Sequence, residues 1–390
     1  MMGIKEMYLM FKDERILWIE NSINGEVKVF NECKLPMKLR GNLYSEVKIE
    51  DNSLKEAVRL FGHNRAVITN WLSSRVLSID REHAKKILNV YGFSQVQTDE
   101  VKAKISLTCR GISVLDCYWI CGDKEDKRWK DMDLKSNKLS DIMFHVALKG
   151  TSLSFQNKDF FTPELSTYGA YAKAWRREAD GLYLYKAGFH GDLEAKIEAS
   201  VSDILDCFNI NHLKYELVYE GDLLCTKCKC MTTGKYSIVT AEEVEAYYNR
   251  VGKRFDTLLF QTFQQDYLLM CQIDYLINNQ DRHGQNWGFY YDNDSFEFIG
   301  LHPLYDHNNS FDEATLNQDT RYIAFNGKTM FEAASYGFKR YPIQVIKPIS
   351  KKLFVKPSYY MMFRDRLKRL GVLCKFKRDG VYPIGMDLRK

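Results

Sequence analysis

The chain has 390 residues, which at roughly 150 per unit suggests two or three globular units. With 45% hydrophobic residues, 27% charged and only seven prolines, it is neither disordered, collagen-like nor low in complexity. The net charge of +5 is unevenly spread: residues 339–378 hold thirteen Lys or Arg and one acid, a net +12, which leaves −7 on the remainder. The longest stretch without a charged residue, Ile87–Thr98, is 12 residues, well short of the roughly 18 that suggest a membrane span. Met1–Lys12 has no apolar signal core, and the ten cysteines form no secreted framework, so a reducing cytoplasm is the expectation.

Residues 1–60 read as short strands, Met7–Phe11, Ile16–Ile19 and Val27–Phe30, the last two joined by a turn at Asn24-Gly25. Ser78 is placed to cap a helix with Asp80 and Glu82 in its first turn, Ala84–Val90 as its body and Gly92 as its stop. Gly122–Lys138 is polar and charge-rich, a surface connection. Leu165–Trp175 is a small, polar loop around Gly169. Gly181–Lys186 follows as a strand, and Leu193–Phe208 carries apolar residues at helical spacing. Tyr215–Tyr219 and Leu223–Met231 are two more strands, joined at Glu220-Gly221-Asp222. Cys225, Cys228 and Cys230 lie in the second. A zinc site wants four ligands, and Cys117 and Cys121 have the wrong spacing for a second pair, so the thiols read as small apolar side chains. Beyond Thr232 the chain reads as mostly helical, with Phe255–Asn278 as one long, broadly apolar, buried helix.

The chemistry begins where that helix stops, at Asn278-Asn279-Gln280-Asp281-Arg282-His283-Gly284-Gln285-Asn286, a loop by composition. Trp287–Tyr291 and Phe296–Leu301 then form a hairpin about Asp292-Asn293-Asp294-Ser295, which returns Asp306 to the neighbourhood of Asn286. Asp306 and Asn286 offer the oxygen ligands that Mg²⁺ takes alongside phosphate, and Asp281 is left to accept a proton from an attacking hydroxyl. A polar turn in which Asp281 and Asn286 only cap backbone groups is the competing reading. Lys186 is the candidate cation for nucleotide phosphates, held by a helix carboxylate. Glu198 is preferred to Glu194 because it neighbours Ile197 on the apolar face. Gly169 would let the 165–175 loop offer backbone N–H groups to phosphates. Arg282 reads as a structural ion-pair partner and His283 as a loop packer.

In the order of these parts the chain resembles the HipA-like serine/threonine kinases. The resemblance is carried by Asp281-Arg282-His283-Gly284-Gln285-Asn286, Leu304-Tyr305-Asp306 and Lys186, and spans about residues 150–345. It implies an α+β, bilobal protein-kinase-like fold, with a β-rich N-lobe and a mostly helical C-lobe. The lobes would span 141–233 and 234–390, after an N-terminal α/β module at 1–140. Trp71-Leu72-Ser73-Ser74-Arg75 is a weaker echo of the N-terminal part of that family. By resemblance, Asp281 is the catalytic base, Asn286 and Asp306 bind Mg²⁺, and Lys186 meets the ATP phosphates. Cys230 and Met231 backbone groups would meet adenine, and Ser166 or Thr167 would be a site of inhibitory autophosphorylation. The phosphate loop departs from ordinary protein kinases in having one glycine. A phosphoinositide-type lipid kinase, which shares the Asp-Arg-His-x-x-Asn string, and a catalytically degenerate module binding nucleic acid or a regulatory protein are the alternatives. The resemblance also implies a protein substrate and a DNA-binding antitoxin-type regulator. The basic 339–378 segment, with a helix over Ser358–Leu370 carrying Arg364, Arg366, Lys368 and Arg369, is either a solvated face or a footprint for nucleic acid or an acidic protein.

Overall fold

The computed structural model describes residues 6–20, 25–45, 54–93, 98–152, 162–188 and 192–385, so Asn24 of the expected first turn lies outside the described residues. β1 (Glu6–Phe11), β2 (Glu14–Glu20) and β3 (Val27–Val29) come first. They are followed by α1 (Leu54–Ser73), α2 (Ala84–Val90), α3 (Asp99–Thr108) and β4 (Tyr118–Gly122). The strands make one antiparallel sheet in the order β3-β2-β1-β4. Leu9, Ile16 and Leu17 from its core side pack with Ile68, Trp71 and Leu72 of α1. Ser78 does not cap α2: its hydroxyl accepts from the Asp80 N–H at 3.3 Å and closes a local turn. The helix starts instead at Ala84, after His83 in the left-handed region. A serine that can bond its own backbone two residues on offers the chain a turn in competition with a helix start.

After α4 (Trp129–Met132), a single turn in the expected surface connection, and α5 (Asp141–Lys149), a 3-10 turn at Pro163–Ser166 leads into a second sheet. It is formed by β5 (Lys173–Glu178), β6 (Gly181–Ala187), β7 (Tyr215–Glu220) and β8 (Leu223–Lys229), in the order β5-β6-β8-β7. α6 (Leu193–Leu205) lies between β6 and β7 in sequence. One face of this sheet, with Ala174, Tyr185 and Ala187, shares a core with α5 and with Ile87 and Leu88 of α2. Trp175 and Leu182 share another with Met10, Trp119 and Cys121 of the first sheet. Apolar burial thus ties residues before and after position 140 together, each fully buried large side chain contributing about 1.5–3 kcal/mol.

The mostly helical remainder holds a strand that composition did not reveal. β9 (Tyr236–Thr240) precedes α7 (Ala241–Arg250), α8 (Phe255–Thr262) and α9 (Gln264–Ile277), then β10 (Gly288–Asp292) and β11 (Phe298–Leu301). β9 pairs with β10, so the expected β10–β11 hairpin is a three-stranded sheet. Gly288 permits this pairing, because a Cβ there would stand 2.1 Å from the Val239 carbonyl oxygen. The expected single helix over 255–278 is two, broken at Phe263 (φ −119°, ψ 23°). Its ring packs 5.3 Å from Phe289, a contact that outweighs helical continuity. α10 (Met330–Phe338), β12 (Ile349–Ser350), α11 (Pro357–Leu370), β13 (Cys374–Lys377) and β14 (Gly380–Pro383) complete the chain, with the last strands in the order β12-β14-β13. All ten cysteines are free thiols. No helix among the described residues is long and apolar enough to cross a membrane.

Candidate active site

Strand alternation sets the first part of the site. Tyr185 and Ala187 face the core under α5, so Lys186 between them points to the opposite face. In register it lies beside Lys173 of β5 and Thr226 of β8, and these three side chains form a row across the sheet. α6 lays Glu198 against that row. The Lys186 ammonium is 3.0 Å from Glu198 Oε1 and 2.6 Å from Asp306 Oδ1, and Thr226 donates to Glu198 Oε2 at 2.8 Å. Glu198 is 1% exposed and Lys186 7%, so neither charge is free to reach solvent. Burial alone would lower the Lys186 pKa, but Asp306 and then Glu198 hold it above the ordinary lysine value. Burial likewise would raise Asp306, and Lys186, then Lys173, hold its carboxyl well below the usual range.

Asp306 sits in the left-handed region (φ 58°) just past β11. Its segment is pinned by Leu304–Asn211 and Leu213–Leu304 backbone bonds at 3.0 and 2.9 Å, and its own N–H donates to the Tyr215 hydroxyl at 3.4 Å. The 281–286 loop is joined to it through Arg282, which is completely buried. Arg282 Nη1 donates to the carbonyls of Asn286 and Tyr305, both at 2.8 Å, so one nitrogen holds together the backbone at both expected metal ligands. The rest of the guanidinium grips Asp274 of α9 through Nε and Nη2 at 3.0 and 2.9 Å. Asp274 also accepts from Asn279 at 3.2 Å and from the Tyr322 hydroxyl. Arg282 is therefore structural, in keeping with the reading of it as an ion-pair partner.

Asp281 is more open, with 41% of its side chain exposed. Asn309 donates to its Oδ2 at 2.8 Å, and its own N–H donates to Asn279 at 3.2 Å. It borders an open cavity of about 560 Å³ with Glu194, Asn309, Ser310 and Lys356 also in its wall. Asn286 donates its amide nitrogen to the Asp281 carbonyl at 2.8 Å, which leaves the amide oxygen as the side chain's remaining polar atom. His283 accepts from the Gln285 N–H at 3.3 Å and is 43% exposed, so it braces the loop without packing.

Among the described residues no group of three or more His, Cys, Asp and Glu could hold a metal by itself. Asn286 and Asp306 instead form the sparse oxygen pair that suits Mg²⁺ when phosphates and waters complete its shell. The donor set fits Mg·ATP in that sense, with Lys186 as the cation beside it.

The hydroxyls expected at the phosphate loop are engaged within the chain. Ser166 and Thr167 are 5% and 8% exposed, and both hydroxyls donate to the Pro163 carbonyl, at 3.2 and 2.7 Å. They face inward in this loop rather than outward to phosphates. Near the expected adenine contact, Cys230 donates its N–H to Leu182 at 2.8 Å, and Met231 accepts from the Tyr290 hydroxyl at 2.8 Å. The first bond continues the β6–β8 ladder one residue past Lys229, and neither bond uses the Cys230 carbonyl or the Met231 N–H. Gly169 does take a conformation suited to glycine (φ 97°), and a Cβ there would meet the Lys173 ammonium at 2.2 Å. Lys173 is the functional candidate that sequence reasoning missed. It is 9% exposed, donates to the Tyr168 carbonyl at 2.9 Å, and burial followed by repulsion from Lys186 pushes its pKa down to about 8. Its position opposite Lys186 follows only from strand register. Asp274 was missed too, although an acid set among Met270, Cys271 and Ile277 on the helix was a readable signal.

No protein-family model matches the chain, and no curated protein matches it. Among solved structures, it is similar to the proinflammatory kinase CtkA of Helicobacter pylori, with 15% identity and a TM-score of 0.37 over 51% of this chain and 89% of that one. Over more of its length, 93% of this chain and 95% of the other, it is similar at 12% identity and a TM-score of 0.49 to HipA of Shewanella oneidensis MR-1, determined with HipB and operator DNA.

Proposed function

We propose that the chain is an ATP- and Mg²⁺-dependent kinase that transfers a phosphoryl group to a protein serine or threonine hydroxyl. The observation that carries this reading is the buried Glu198–Lys186–Asp306 bridge, at 3.0 and 2.6 Å. A lysine held between a helix carboxylate and the end of a hairpin is a costly arrangement for structure alone. It is what a phosphate site needs, since the ammonium can exchange one carboxylate for phosphate oxygens when charge arrives.

Mg·ATP would supply the transferable phosphoryl group and neutralise its charge. The chain's own residues do the rest. Lys186 orients phosphate, Asn286 and Asp306 offer oxygens to the metal, and Asp281 takes the proton of the acceptor hydroxyl at the cavity mouth. Phosphate on Ser166 or Thr167 has no room in the present loop, so autophosphorylation there requires the loop to open and would disable the site. The exposed basic residues near the C-terminus are offered to an anionic partner. A DNA-binding regulator, of the kind the sequence resemblance implies, is the partner we favour, bound together with its DNA.

Purified protein with Mg·[γ-³²P]ATP and a mixed-protein acceptor tests the reading. Lys186→Met, Asp281→Ala and Asp306→Ala are each expected to lower transfer by about 100-fold or more. Transfer that survives all three would sink the assignment.

A further inference from the structure

We propose that Arg81, which belongs to the N-terminal module, is a positioning residue that shapes the phosphate loop from behind. This inference rests on the kinase reading above. Arg81 is 2% exposed, yet no carboxylate among the described residues forms an ion pair with its guanidinium. It donates to three backbone carbonyls of the loop region: Nη1 to Glu164 at 2.7 Å and to Thr167 at 3.1 Å, and Nη2 to Lys173. The backbone around it is tied to the same loop, with Leu77 N–H donating to the Leu165 carbonyl at 2.7 Å and Glu82 N–H to the Ala170 carbonyl at 2.8 Å. Residues 77–82 therefore form a strap along 164–173, and the arginine bridges the loop's two ends.

The consequence follows from peptide geometry. In a trans peptide the C=O of one residue and the N–H of the next point in opposite directions. Drawing the Thr167 carbonyl to the strap turns the N–H group of Tyr168 away from it. An outward N–H of this kind, in a loop with Gly169 in a positive-φ conformation, is a donor that a phosphate takes. The loop closes towards the active lysine, since the Tyr171 ring centre lies 5.0 Å from the Lys186 ammonium. From the other side Lys173 holds the Tyr168 carbonyl at 2.9 Å. The N-terminal module in this way sets the affinity for nucleotide phosphates without touching nucleotide.

Binding of Mg·ATP and of adenosine to the full chain, measured by calorimetry, tests the inference. The variants are Arg81→Lys, which keeps charge but loses the fork, and Arg81→Met. Arg110→Gln, which breaks an ion pair with Glu125 in the same module, serves as the control for general destabilisation. The Arg81→Met dissociation constant for Mg·ATP is expected to rise about tenfold or more, as when charge-assisted hydrogen bonds are removed. Arg81→Lys should fall between it and the parent, adenosine binding should be unchanged, and Arg110→Gln should bind both as the parent does. If Arg81→Met does not fold, Arg81→Lys carries the test. Unchanged Mg·ATP affinity, or equal weakening of ATP and adenosine, overturns the inference while leaving the kinase reading intact. A parent chain that binds neither ligand overturns the kinase reading and this inference with it.

Discussion

At Glu164, burial and hydrogen bonding pull in opposite directions. The residue is 1% exposed, and burial pushes its pKa up to about 7 against the Trp175 N–H donated to Oε1 at 2.8 Å and the charge of Arg81. A carboxyl whose folded pKa is raised binds its proton more tightly in the native state. Its contribution to stability is complete below the unfolded value near 4.5 and is lost as pH rises through about 7. The difference amounts to about 3 kcal/mol at most. Urea unfolding at pH 5 and pH 8 should show parent stability falling across that window, and Glu164→Gln should flatten the fall. An identical pH dependence in both proteins would contradict the account. Nothing in the sequence marked Glu164. Its importance comes from being sealed under a loop, and burial of that kind is decided by tertiary packing.

The same contrast holds for whole elements. Strands β6 and β8, helix α6 and the β10–β11 hairpin were legible because each carries its own periodicity and turn chemistry. So was the choice of Glu198 over Glu194, from a single step of helical phase. The break at Phe263 and the strand β9 were not legible, since each depends on a partner far along the chain. The apolar pattern of 255–278 continues unbroken across Phe263, and only the rings of the β10 region show why the helix stops there. The geometry of the candidate site depends on this long-range layer as well. Asp274 of α9 holds Arg282, and Arg282 holds the backbone of Asn286 and Tyr305. Asp274→Asn would leave a fully buried guanidinium without its counter-charge, expected to cost about 3–5 kcal/mol. Chemical denaturation measures it, and a loss below about 1 kcal/mol would show that the ion pair carries little of the loop's support.

On the scale of the molecule, the lopsided charge of the sequence divides into two kinds. Arg366 is buried in α11, donating to the Asn278 side chain at 2.9 Å and to the Leu316 and Gln318 carbonyls at 3.3 Å. It braces the end of α9 and takes no part in any outer surface. Lys356 is paired with Glu313 at 2.9 Å, and Arg369 lies 3.8 Å from the centre of the Phe331 ring. Lys351, Lys352, Lys375, Lys377 and Arg378 are different: all are exposed and gather about the small sheet β12-β14-β13. Lys375 and Lys377 alternate with the half-buried Cys374 and Phe376, so strand geometry puts both on one face. An anionic partner should therefore meet this sheet and its flank. Replacing Lys352, Lys375 and Lys377 with Gln should weaken binding to a DNA duplex and shallow its salt dependence by about 0.9 in the log–log slope for each phosphate no longer neutralised. The melting temperature should hardly move, because none of these side chains is buried. Arg366→Met should do the reverse, lowering stability while leaving the salt slope as it was. Equal salt slopes in the parent and the triple variant would remove nucleic acid from this face and leave the exposed lysines as ordinary solvated charge.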